Sequence, residues 1–175
     1  VVPNDNLISE VFNDLDILGI LGEGSAAAPI DGQWYGSLEE VDATSGYWVQ
    51  SNSDGQDLYI CGQSSNDVVY TLHEANNLIS YPYEQAQTIG NALPDEIEDN
   101  VLAVIGEGYS AVNTDGGWMG ALVNFEALHG YWILTDADIS FSYHLVDQQS
   151  LLSREANPYK RAEKPLGFDF IQSTQ

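Results

Sequence analysis

The sequence predicts a mainly-β protein with minor α content: two tandem small β-rich modules, each with a short helix, followed by an extended strand towards the end of the chain. Three observations predict this. The chain repeats itself at a shift of 84 residues, and its apolar residues fall in short β-branched and aromatic runs between glycine turns. A last apolar run alternates with a period of two.

Residues 20–49 align with residues 104–133 without a gap, and 13 of the 30 positions are identical. Gly22-Glu23-Gly24 falls on Gly106-Glu107-Gly108, and Asp31-Gly32 on Asp115-Gly116. Trp34-x-Gly36-x-Leu38 falls on Trp118-x-Gly120-x-Leu122, and Gly46-Tyr47-Trp48 on Gly130-Tyr131-Trp132. The chain has only four tryptophans, so their pairing at one spacing argues against coincidence. The boundaries that follow are residues 1–75 for the first module, 76–146 for the second and 147–175 for a basic linker and final strand.

The second copy opens with an apolar strand, Asn77-Leu78-Ile79-Ser80-Tyr81, then a helical stretch around residues 87–93, then Pro94 and a strand over 101–105. In the first copy Val1-Val2-Pro3 matches Ala92-Leu93-Pro94 in character, which predicts that its opening strand is absent. Asn6-Leu7-Ile8-Ser9 repeats the letters of residues 77–80 but lies too close to the glycine turn to be that strand. Leu7, Ile8, Val11, Phe12 and Leu15 share one helical face, predicting a short helix over 7–15. Further strands are expected over 17–21, 47–50, 57–61, 68–73, 131–135 and 140–145. Asp31-Gly32 and Asp115-Gly116-Gly117 have the composition of turns between adjacent antiparallel strands.

The order of these signatures, an N-L-I-S strand followed by G-E-G, W-x-G-x-L and G-Y-W, resembles repeated modules of large secreted and cell-surface multidomain proteins of marine and related bacteria. The resemblance covers residues 1–146. It implies an extracellular or cell-surface setting and a non-catalytic accessory or structural role, and it brings no catalytic residues with it. The missing first strand departs from the pattern.

Charge narrows the partners. The chain carries 27 acidic residues against 4 basic ones, a net charge of −23. Such a surface repels nucleic acid and anionic membranes, while a solvated acidic coat is its simplest explanation. Cys61 is the single cysteine, so no intrachain disulfide forms. No run of about 18 apolar residues spans a membrane. No basic-then-apolar leader stands at Val1, so an exported protein would be represented here by a mature or excised segment.

All the basic residues lie together: Arg154, Lys160, Arg161 and Lys164. Residues 1–153 contain 24 of the acidic groups and no lysine or arginine. The basic segment therefore has an obvious Coulombic partner in the body, where it would steer docking more than supply affinity. Beyond it, Leu166, Phe168 and Phe170 alternate onto one strand face, with Ile171 next to them. This strand either pairs with the chain's own sheet or fills the missing strand position of a neighbouring chain. The second arrangement makes a homo-oligomer, or a polymer where the contact does not close on itself.

Catalytic signatures are scarce. His73, His129 and His144 have no second histidine at ligand spacing, no G-x-S-x-G elbow occurs, and Gly106-Glu107-Gly108 lacks the third glycine of a dinucleotide loop. The expectation is a non-enzyme without a cofactor. Calcium is the candidate ligand for Asn52, Asp54 and Asp57 and for Asp136 and Asp138, hard oxygens in turns, although solvated acidic turns account for them better. Trp34 and Trp118, beside turns, are the candidate ligand-facing aromatics. Repetition of tryptophan at one place in both copies more often marks a module core. A self-associating structural protein is the leading expectation, with a carbohydrate- or ligand-binding accessory module as the alternative.

Overall fold

The computed structural model describes residues 2–3, 6–58, 62–63 and 68–144. It is mainly β, with fifteen strands and three one-turn helices among the described residues. In chain order these begin with β1 (Val2–Pro3), α1 (Ile8–Val11), β2 (Ile17–Leu21), β3 (Ala26–Ile30), β4 (Gln33–Gly36) and β5 (Trp48–Ser51). Next come β6 (Gly62–Gln63), β7 (Tyr70–Leu72), β8 (Ala75–Tyr81), β9 (Gln87–Thr88), α2 (Ile89–Ala92) and α3 (Asp95–Glu98). The last are β10 (Val101–Ile105), β11 (Ser110–Thr114), β12 (Gly117–Gly120), β13 (Asn124–Phe125), β14 (His129–Thr135) and β15 (Ile139–Phe141).

The internal repeat is visible as two antiparallel sheets. The first has the order β4-β3-β2-β5 and the second β12-β11-β10-β14-β8. β2, β3 and β4 fall on β10, β11 and β12 residue for residue at the 84-residue shift, and β5 falls on the last four residues of β14. Even the irregularity is repeated: the β2–β5 ladder slips between Ile17 and Gly19, and the β10–β14 ladder between Val101 and Ala103. At the end of each hairpin a glycine is obligatory. Gly36 and Gly120 adopt φ of +147° and +151°. A Cβ there would lie 2.1 Å from the Ala26 carbonyl oxygen and 2.2 Å from that of Ser110. Between β3 and β4, Asp31 and Gly32 both take positive φ, the conformation that turns a two-residue hairpin with the right twist.

The helices align by hydrogen bonds and not by letters. The Ile8 N–H donates to the Glu39 carbonyl at 3.0 Å, and the Ile89 N–H donates to the Val123 carbonyl at 3.1 Å. α1 therefore corresponds to α2, with Ile8 and Ile89 both buried beneath them. The likeness of Val1-Val2-Pro3 to Ala92-Leu93-Pro94 has no structural counterpart, since Val2 and Pro3 pair with Gln63 and Gly62 instead. The helix expected over 7–15 is a single turn, because the chain must reach β2 at Ile17. The second copy has three more residues in that connection, and they accommodate α3.

Each sheet buries its own apolar cluster. Ile8, Phe12, Ile17, Ile20, Ala27, Leu38 and Val41 form the smaller one, beneath the first sheet. The larger, beneath the second, adds the ladder of β7 with β15 and a ring cluster of Tyr70, Tyr81, Phe125, Phe141 and Tyr143. Tyr70 and Leu72 thus belong to the second cluster although they precede position 76. The expected strand over 57–61 is not seen at Asp57 or Leu58, and residues 59–61, with Cys61, lie outside the described residues.

The two sheets meet on β8. One edge of β8 pairs with β14 over seven residues, from His129 with Tyr81 to Thr135 with Ala75. On its other edge the Ser80 N–H donates to the Thr44 carbonyl and the Leu78 carbonyl accepts from the Gly46 N–H, both at 2.9 Å. The equivalent glycines come into contact there: a Cβ on Gly130 would lie 3.3 Å from the Gly46 Cα. Residues Val1–His144 form one compact unit, and the other unit, Leu145–Gln175, lies outside the described residues.

Candidate functional site

The difference between the two sheets defines the site. β14 is sandwiched between β10 and β8, whereas among the described residues β5 has β2 on one side and no strand on the other. The backbone bonds of β8 towards the first sheet fall at residues 44–46, and beyond them the outer edge of β5 runs on unpaired by any described strand. An edge of free N–H and C=O groups is a template for another strand.

Side-chain burial follows the same contrast. Ile133 is fully buried and Thr135 is 2% exposed, while their counterparts Val49 and Ser51 lie in the open, Val49 at 42%. In the second sheet β8 pairs along β14, Ile133 belongs to the cluster that β7 and β15 enlarge, and the Thr135 hydroxyl donates to the His73 carbonyl at 2.8 Å. Among the described residues the smaller first cluster opens at its side into a groove of about 370 Å³ lined by Phe12, Leu15, Ile17, Val49 and Leu58. The floor is apolar and the rim polar, with Ser51, Ser53, Asp54 and Gln56 along one wall.

That wall is held in place. The Gln56 side-chain amide donates to the Asp16 carbonyl at 2.8 Å and to the Ser51 hydroxyl at 2.7 Å. Its oxygen accepts from the Asp16 N–H, and the Asn52 amide donates to the Asp16 carboxylate at 3.1 Å. A loop braced by side-chain amides keeps the groove open without needing its own strand. At the junction end, Asp42 fastens the turn that reaches β8. Its carboxylate accepts from the backbone N–H groups of Thr44 and Ser45, each at 2.8 Å, and from both hydroxyls. Partial burial of this carboxylate would raise its pKa, but the hydrogen bonds from Ser45 and Thr44 outweigh that and hold it below 3.8.

The residues singled out from sequence are placed as follows. Trp34 and Trp118 are half-buried and pack against the two clusters: Trp34 lies 6.5 Å from the Phe12 ring, and the Trp118 indole N–H donates to Glu98. Their strand neighbours Tyr35 and Met119 face outward instead. Asp54 stands on the groove wall and Asp57 is exposed. Asp136 accepts from the Asn100 side chain at 3.0 Å and Asp138 from the Glu74 N–H at 2.9 Å. Among the described residues no three His, Cys, Asp or Glu side chains converge to hold a metal ion. No described helix is long and apolar enough to cross a membrane. Arg154, Lys160, Arg161, Lys164, Leu166, Phe168, Phe170 and Ile171 lie outside the described residues. Sequence reasoning missed the groove residues Phe12, Ile17 and Val49 as a site. The signal was in the repeat, where position 49 matches a residue that needs a cover. Compared with known protein families, with curated proteins and with solved structures, the chain matches none.

Proposed function

We propose that this is a non-catalytic extracellular or cell-surface structural protein that self-associates by strand donation. Residues 166–171 of one copy add as a strand along the outer edge of β5 in a neighbouring copy. The observation that carries this is the inequality of two equivalent edges: β14 covered and Ile133 buried, β5 uncovered by any described strand and Val49 exposed.

The donor and acceptor match in chemistry. Leu166, Phe168 and Phe170 alternate, so one face of the added strand carries three large apolar side chains towards the Phe12, Ile17 and Val49 floor. Arg154, Lys160, Arg161 and Lys164 precede them and meet a polar wall that includes Asp54. Because donor and acceptor are different surfaces, the contact is head-to-tail and extends into a filament unless the rotation closes a ring. The resemblance of the repeated signatures to modules of secreted and cell-surface proteins supports the location.

Removal of residues 165–175 tests the proposal. The full chain is expected to give high-mass species by light scattering that rise with concentration, and the shortened chain to stay monomeric. A full chain that remains monomeric across concentration and salt overturns it.

A further inference from the structure

The junction between the two sheets contains an ion pair that the proposed association does not use. The Glu23 side chain, in the Gly22-Glu23-Gly24 turn between β2 and β3, bridges two groups of the second sheet. One carboxylate oxygen accepts from the Leu78 N–H of β8 at 2.8 Å, and the other lies 2.7 Å from His73 Nε2. The second copy has the same glutamate, Glu107, equally exposed, at the turn between β10 and β11. Only the first turn has been brought against the β8 edge.

The surroundings of His73 define its proton state. Nδ1 lies 2.6 Å from the Glu74 carbonyl oxygen, and Nε2 faces the Glu23 carboxylate. A carbonyl and an ionised carboxylate can only accept, so both ring nitrogens must donate, and only the imidazolium can do that. A neutral ring would leave one nitrogen lone pair facing an acceptor. The backbone around the ring is fixed: the His73 N–H donates to the Asn77 side chain at 3.0 Å, and the His73 carbonyl accepts from Asn77 at 2.8 Å and from Thr135. The ring itself is 60% exposed, so on losing its proton it can turn into solvent and leave Glu23.

We propose that His73 and Glu23 form a pH-sensitive latch that fastens the first sheet's turn to strand β8, closed when the imidazole is doubly protonated and released when it is neutral. The groups facing the ring are all acidic or carbonyl: Glu23 from the first sheet's turn, the Glu74 carbonyl beside it, and Asp138 from the turn after β14. The Glu74 carbonyl and then Glu23 raise the pKa of His73 above 6.5. The sign follows from that direction. The latch is complete below about 6.5, the ordinary histidine value, and is lost as pH rises through the elevated folded-state midpoint. Release leaves the Leu78 N–H as the remaining hold on the Glu23 carboxylate, so the Gly22-Glu23-Gly24 turn is fastened to the second sheet by one contact instead of two on the alkaline side.

Proton NMR of the full chain tests this. The Leu78 amide resonance, shifted by its carboxylate partner, is expected to move with the same midpoint as the His73 ring protons between pH 5.5 and 9. In His73→Gln that movement is expected to disappear, while His129→Gln leaves it intact. Glu23→Gln, which keeps an oxygen for Leu78 but loses the charge, is expected to lower the His73 midpoint towards 6.5. A Leu78 amide that stays fixed while His73 titrates, or that titrates equally in His73→Gln, overturns the proposal. So does a His73 midpoint unmoved by Glu23→Gln.

Discussion

Truncation of the two equivalent residues, Val49→Ala and Ile133→Ala, measures how far each edge is covered. Ile133 is fully buried, so removing three carbons at about 0.8 kcal/mol each loses about 2.4 kcal/mol of transfer energy. The cavity adds to it, giving an expected loss of about 3 kcal/mol, within the usual range of 2–5. Val49→Ala removes two carbons, worth about 1.6 kcal/mol if fully buried. At 42% exposure only a little over half of that is realised, about 1 kcal/mol. The remaining part of about 0.7 kcal/mol should appear on association, weakening it roughly threefold. Urea unfolding of the full chain, at a concentration where sedimentation shows monomer, gives the first quantity, and sedimentation at higher concentration gives the second. A monomer that loses as much from Val49→Ala as from Ile133→Ala refutes the reasoning, since the first edge would then be covered within each chain and not available to a neighbour.

Gly120→Ala is expected to destabilise by about 3 kcal/mol or more in thermal melts, because φ of +151° and a Cβ at 2.2 Å from the Ser110 carbonyl must both be relieved. Tyr143→Phe is expected to be neutral or to stabilise by about 1 kcal/mol in urea titration. The Tyr143 hydroxyl is buried with no hydrogen-bond partner among the described residues, and burial with neighbouring tyrosines pushes its pKa well above 10. Asp42→Asn is expected to weaken the 42–45 turn by about 1 kcal/mol at pH 7, discounted for its partial exposure. The native Asp42 pKa is depressed, so its contribution is present above 3.8 and lost as pH falls through the lower folded value, and Asp42→Asn should flatten the acid limb of stability against pH. A chelator is expected to leave the melting temperature unchanged, because Asp136 and Asp138 already accept protein hydrogen bonds.

The strands with a strong local signature were legible in the sequence. Residues 17–21 and 101–105 coincide with β2 and β10, and Asn77-Leu78-Ile79-Ser80-Tyr81 lies within β8. Ala26–Ile30 was not, since three alanines and a proline carry little β-propensity and are recruited by the hairpin at Asp31-Gly32. α3 is one turn of mostly acidic residues with no apolar period to detect. Trp34 shows a different limit: period-two alternation fixes that Trp34 and Tyr35 face opposite ways, but four residues cannot say which way is inward. The fastening of Glu23 to His73 and Leu78 joins residues 50 and 55 positions apart, and a carboxylate reaching a backbone N–H has no local pattern at all.

The charge of the body constrains how such a chain can associate. Two copies, each at −23, repel at long range, and the 24 acidic groups of residues 1–153 have no lysine or arginine among them to make complementary patches between body surfaces. Face-to-face packing of two bodies would bring like charges within the screening length of about 8 Å at physiological salt. Strand addition avoids much of this cost. It needs one narrow edge, takes its affinity from backbone hydrogen bonds and alternate apolar side chains, and is led by the one segment of the chain that is positive. The exposed outer faces of the sheets, with Leu21, Tyr35, Ile105 and Met119, have no such cation beside them in residues 1–153. The β5 edge that no described strand pairs, with Asp54 on the groove wall and Phe12 and Val49 on its floor, is therefore the place where attraction can be local while repulsion remains distant.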